Sequence, residues 1–192
     1  VAITAARLVT VDPALPLPVA VAATQHGDVF LVGRDSELVP LSPAATIEAG
    51  QTVLTSSDAG LGLDWRSGIS VRVDASTRVE MTAGDTIYLQ TGRVYIDTAA
   101  DGSAAALVVR TDVGTVTHVG TRYMVSVRDD ELTVSVRDGR VRIDGHHHDA
   151  AAQPGDRVRM RGSARPMVDR LPAYGDAWRW VEPLAGTPAV DG

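Results

Sequence analysis

Three consecutive histidines, His146-His147-His148, are the most conspicuous candidates for chemistry in this 192-residue chain. Neutral imidazoles bind transition metals, and a structural zinc takes about four ligands. Consecutive strand residues point to opposite faces, so only His146 and His148 could share a site. No convergent partner set is evident beyond Asp144 and Asp149, so the spacing predicts a solvated loop and no metal centre. His118 precedes Val119-Gly120 near a strand end and reads as a partly buried strand residue, not as a general base. Asp129-Asp130-Glu131 lacks the oxygen-ligand spacing and internal glycine of a calcium loop, which leaves a hairpin turn. Gly60-Leu61-Gly62 lacks the third glycine and following helix of a dinucleotide site. There is no nucleophile elbow and no phosphate-binding Walker loop. With no cysteine, disulfides and thiolate catalysis are excluded. The residue types therefore predict no enzyme, no cofactor and no metal.

Two clusters point to partners instead. Arg157, Arg159 and Arg161 alternate with Val158 and Met160, which puts three guanidinium groups on one strand face, with Arg165 close by. Such a ledge is either a solvated face or a docking surface for an acidic protein, speeding encounter more than tightening binding. Trp178 and Trp180 share a face if their segment is a strand; they either cap the end of a core or anchor a partner. A net charge of -6 argues against direct nucleic-acid binding. Lys and Asn are both absent, which reflects a GC-rich coding sequence and carries no mechanism.

Short strands must position these groups. Leu61, Leu63 and Trp65 alternate with smaller or polar residues, and Ile69, Val71 and Val73 do so again after Arg66-Ser67-Gly68. Thr77, Val79 and Met81 precede a turn at Ala83-Gly84-Asp85, and Ile87 and Leu89 follow it. Downstream, Tyr123, Val125 and Val127 lead to Asp129-Asp130; Leu132, Val134 and Val136 lead to a turn over Arg137–Arg140, where Gly139 supplies positive φ. Period-two alternation with turn signals about every 8–12 residues predicts an all-β domain. The pattern leaves a β-solenoid-like domain and a β-sandwich both open, either built from many short strands and hairpins. Hydrophobic residues at 44% suffice for a core, and aromatics at 4% mean that Val, Leu, Ile and Ala build it. Residues 1–26, broken by Pro13, Pro16 and Pro18, read as an extended lead-in beside a membrane; 27–165 as the β-domain; 166–192 as a Trp-containing linker.

Five elements in order resemble the FecR family. They are Leu89-Gln90-Thr91-Gly92-Arg93-Val94-Tyr95-Ile96-Asp97, Arg110–Val116, Gly120-Thr121-Arg122-Tyr123-Met124-Val125, Arg137-Asp138-Gly139-Arg140-Val141 and Gln153-Pro154-Gly155-Asp156. Tyr123, Met124 and Asp138 stand where the family commonly has Phe, Asn and Glu. The segment Tyr174–Ala185 resembles the link from a FecR domain to a small C-terminal docking domain, which would begin where this chain stops.

The resemblance implies a periplasmic regulatory domain of a single-pass inner-membrane protein. Such proteins relay a signal from a TonB-dependent outer-membrane transporter to a cytoplasmic extracytoplasmic-function sigma factor. Both partners, the transporter's N-terminal signalling domain and the sigma factor, would be met through parts outside this chain. It also implies a candidate self-cleavage bond between Gly120 and Thr121, because some FecR-type regulators cut themselves at a Gly-Thr bond. The competing expectation is a cell-envelope glycan- or polymer-binding module with no role in transcription, for which Trp65, Trp178 and Trp180 are the available aromatics. A β-helical polysaccharide enzyme would need clustered acids and aromatics that the sequence lacks.

Overall fold

The computed structural model describes residues 17–33, 35–98 and 106–185. The first sixteen residues of the expected lead-in, Arg34 of the expected turn and the last seven residues of the expected linker lie outside the described residues.

The strands run β1 Pro18–His26, β2 Val29–Val32, β3 Leu38–Pro40, β4 Thr46–Glu48 and β5 Thr52–Thr55. They continue with β6 Gly60–Trp65, β7 Ser70–Val73, β8 Arg78–Met81, β9 Thr86–Asp97 and β10 Val108–Arg110. The remainder are β11 Gly114–Arg128, β12 Glu131–Gly145, β13 Asp149–Ala152, β14 Asp156–Arg161 and β15 Met167–Arg170. All fifteen belong to one hydrogen-bonded sheet, which does not close on itself. One 3₁₀ helix, Asp176–Leu184, follows. The all-β expectation holds, and the architecture is a single sheet wrapped around one core instead of two separate sheets.

Wrapping depends on three long strands that change partners along their length. The first part of β9 pairs with β8 and β10, and its second part with β7 and β11. β11 likewise pairs with β10 near its start and with β9 near its end, with β12 alongside throughout. At the changeovers sit Gly92, Gly120 and Gly139, all at positive φ. Gly139 is therefore not a hairpin tip, as the alternation suggested: β12 passes straight through it. The hairpin tips at Gly68, Gly84 and Asp129-Asp130 do have positive φ.

Side chains from the two halves of the sheet meet in one cluster. Val94, Ile96, Tyr123 and Val125 from one half pack with Ile87, Leu89, Val109 and Val116 from the other. Trp65 points inward too and donates its indole N–H to the Asp85 carboxylate at 3.0 Å. Pro18–His26, expected to end the lead-in, is instead strand β1, paired to β6 on one side and β4 on the other.

Candidate functional site

The Gly120–Thr121 bond lies in a β-bulge between β11 and β12. Val119 is opposite Arg140 and Arg122 is opposite Asp138, so two residues on β11 face Gly139 alone. Gly120 needs no space, since a Cβ there would meet nothing within 4 Å; it needs its φ of 53°. Gly139 needs both: a Cβ would sit 2.3 Å from the Gly120 carbonyl oxygen, and φ is 78°.

Thr121 is buried, and every polar atom it has is engaged. Its N–H donates to Thr98 Oγ1 at 2.7 Å. Its carbonyl accepts from the Thr98 hydroxyl at 3.0 Å and the Thr98 N–H at 3.2 Å. Its hydroxyl faces two acceptors, the Val119 carbonyl at 2.8 Å and the Arg140 carbonyl at 3.0 Å. Thr98 thus clasps both ends of Thr121. Nothing in the sequence reading singled it out.

His118 does not join this network. Its Nε2 accepts the Leu107 N–H at 3.0 Å and its ring packs 5.2 Å from that of Tyr123. Nε2 as acceptor places the proton on Nδ1, which is buried without a partner. Burial holds the imidazole below its ordinary pKa. The folded protein therefore keeps His118 neutral where the unfolded chain takes up a proton. Stability is expected to fall as pH drops below about 6.5 and to keep falling until the lower folded value is passed. Urea midpoints of the wild type at about pH 7.5 and 5.5 should differ more than those of His118→Gln; equal shifts would assign the acid sensitivity elsewhere.

The expected partner-binding residues divide. Arg157 donates through Nε and Nη2 to Asp169 at 2.7 and 3.1 Å, and Arg159 donates to the same carboxylate at 2.8 Å. These hydrogen bonds, Arg157 foremost, pull the Asp169 carboxyl below its ordinary pKa. The ledge is thus partly neutralised from within by β15, while Arg161 stays exposed at its end. His146 and His147 lie in the turn before β13; His148 contacts the Ser163 carbonyl at 3.2 Å through Nε2. Among the described residues no three His, Asp or Glu side chains converge as a metal site would require.

Trp178 and Trp180 are not on a strand. They belong to the 3₁₀ helix, which lies as a strap across the outer face of the sheet. Trp178 meets Tyr95 edge to face at 6.0 Å and shares a second, small apolar cluster with Met124 and Val181. Its indole N–H donates to the Pro172 carbonyl at 2.9 Å. The Arg93 guanidinium covers Trp180 at 4.6 Å. At the far end the Leu184 carbonyl accepts the Thr24 hydroxyl at 3.0 Å. A Cβ on Gly62 would fall 2.4 Å from that carbonyl, so the glycine dismissed as a cofactor motif is what admits the strap.

The strap follows a register row. Met124, Tyr95, Arg72, Gly62 and Thr24 are direct neighbours on β11, β9, β7, β6 and β1. Tyr95 and Met124 are on the face opposite Val94, Ile96, Tyr123 and Val125, yet are almost fully buried. Burial and the nearby Asp97 carboxylate push the Tyr95 phenol above its ordinary pKa.

Residues 51–142 match the FecR protein family. The chain carries a FecR-family domain. The matched span runs from just before β5 into β12, so it holds Tyr95, Thr98, Gly120 and Thr121, while β1, β14 and the strap lie outside it. Two crystal structures of a candidate anti-sigma factor from Parabacteroides distasonis are similar in fold to this chain, with a TM-score of 0.55 and 18% identity. The likeness covers 64% of this chain and 60% of that one, so it spans less than two thirds of the relative's length. None of the curated proteins matches.

Proposed function

We propose that this chain is the periplasmic regulatory part of a FecR-type inner-membrane protein. It passes a signal from a TonB-dependent outer-membrane transporter to a cytoplasmic extracytoplasmic-function sigma factor. The observation that carries this reading is the FecR-family match over residues 51–142. The competing glycan-binding reading loses support because Trp65 and Trp178 are buried, which removes two of its three aromatics from any sugar-facing surface.

The test is association. The intact protein is expected to bind the periplasmic N-terminal domain of an outer-membrane transporter encoded beside it, and residues 1–192 alone to bind it weakly or not at all. Failure of the intact protein to bind any co-encoded transporter would favour the envelope-binding module. Tight binding by residues 1–192 would move the docking surface into the β-domain.

Within this reading Gly120–Thr121 is a bond that the chain cuts for itself. The Thr121 hydroxyl oxygen attacks the Gly120 carbonyl carbon and a C–O bond forms. The C–N bond then breaks, and the hydroxyl proton passes to the departing nitrogen. Water hydrolyses the resulting ester, leaving a Gly120 carboxylate and a Thr121 with a free amine and its hydroxyl restored. Supporting it are a glycine that adds no side chain to hinder attack and a backbone held in the left-handed region.

A further inference from the structure

We propose that the strap is a displaceable latch, and that its docking on Tyr95 sets how tightly Thr98 restrains the Gly120–Thr121 bond. The strap is poorly supported as a helix in its own right. It runs nine residues as a 3₁₀ helix, has no side-chain N-cap and contains Pro183. Runs of 3₁₀ beyond about three or four residues are uncommon because their hydrogen bonds are poorly aligned. Its hold on the sheet therefore comes from Trp178, Val181 and Leu184, the three buried side chains it contributes.

What it covers is polar in part. Arg72 lies in the row between the Trp178 and Leu184 contacts, stacked 5.3 Å from the Tyr95 ring centroid. Its Nε and Nη1 are buried without a hydrogen-bond partner, and so is Trp180 Nε1. Water would satisfy these groups when the strap lifts, which offsets part of the cost of lifting.

The covered row connects directly to the clasp. Arg72 Nη1 is 3.7 Å from one oxygen of Asp97, and Arg122 Nε is 3.0 Å from the other. Arg122 follows Thr121, and Asp97 precedes Thr98. Two residues of β9 thus separate the strap's anchor, Tyr95, from the residue that grips Thr121. When Trp178 leaves, the end of β9 loses its outer packing, Asp97 loses a fixed partner, and the Thr98–Thr121 hydrogen bonds open more often. Coupling of this kind is reciprocal, so loosening the clasp must also loosen the strap.

Amide hydrogen exchange on the whole chain tests this. In Trp178→Ala, exchange is expected to rise at least about tenfold, the shift expected of a typical coupling free energy, both in residues 176–184 and at the Thr121 amide, with β5 and β8 unchanged. Trp178→Phe should restore most of the protection. In Thr98→Val, the strap amides should also exchange faster. A faster strap with an unchanged Thr121 amide would overturn the coupling. Loss of protection through β5 and β8 would show that the strap belongs to the global fold and is not a latch. The link to self-cleavage rests on that reading, but exchange is measured on the uncut chain. Absence of fragments would therefore count against cleavage alone.

Discussion

Gly139→Val is expected to lower the urea midpoint of unfolding more than any other single substitution in the bulge. Two costs add. A β-branched residue at a φ of 78° is strained by about 1–3 kcal/mol. The new Cβ would also fall 2.3 Å from the Gly120 oxygen and 2.9 Å from the Thr121 Cα. Those are backbone atoms held on the facing strand, so relief requires β11 and β12 to separate, at about 1–3 kcal/mol more. Gly120→Ala is the contrast. It meets open space and incurs only the left-handed penalty of about 1–2 kcal/mol. Midpoints measured at constant m-value should rank wild type, then Gly120→Ala, then Gly139→Val. A Gly139→Val midpoint equal to wild type would mean that the two strands do not press together there.

Prolonged incubation of the wild-type chain should produce two fragments divided between Gly120 and Thr121, and Thr121→Ala should produce none. Denaturing mass spectrometry reads both masses directly. Thr121→Ser keeps the nucleophile and should still cleave. The folded state is expected to cut slowly, because the Thr121 hydroxyl faces carbonyl acceptors and its nitrogen is held by Thr98. No base within hydrogen-bonding distance accepts from that hydroxyl, so the shift depends on geometry more than on general-base assistance. A wild-type mass that stays intact under all conditions would leave the bulge a purely structural device.

Most of the inner face was legible in the sequence. Leu61, Leu63, Val71, Val73, Val79 and Val134 alternate with glycine or polar neighbours and are all buried as alternation requires. The outer face was not, because a strand pattern shows which side is apolar but not what crosses the other. The signal was nevertheless present in two places. Val94-Tyr95-Ile96 and Tyr123-Met124-Val125 are runs of three apolar residues, and a strand with one wet face has no use for the middle one. Met124, noted as a departure from the common Asn, is the residue that packs beneath the strap with Tyr95 and Trp178. Gly139 misled for a related reason. A glycine at positive φ after a hydrophobic strand reads equally as a hairpin tip or as a bulge in a continuing strand. Only the partner's register separates the two. Thr98 could not be found at all, since a threonine that clasps a residue 23 positions away leaves no local pattern.

The hydrogen bond between Thr24 and the Leu184 carbonyl joins positions 160 residues apart in the chain. It has a mechanical meaning. A pull applied between the segment before β1 and the segment after the strap would load this contact first and the core last. The strap lies across the strands, so it would peel, one anchor at a time, in the order Leu184, Val181, Trp178. The load would pass next to β15, the edge strand that pairs with β14 alone, and to the inner strands only after it. Such a molecule yields at its strap under small tension while its sheet stays whole, and the last anchor to let go is the one beside Tyr95.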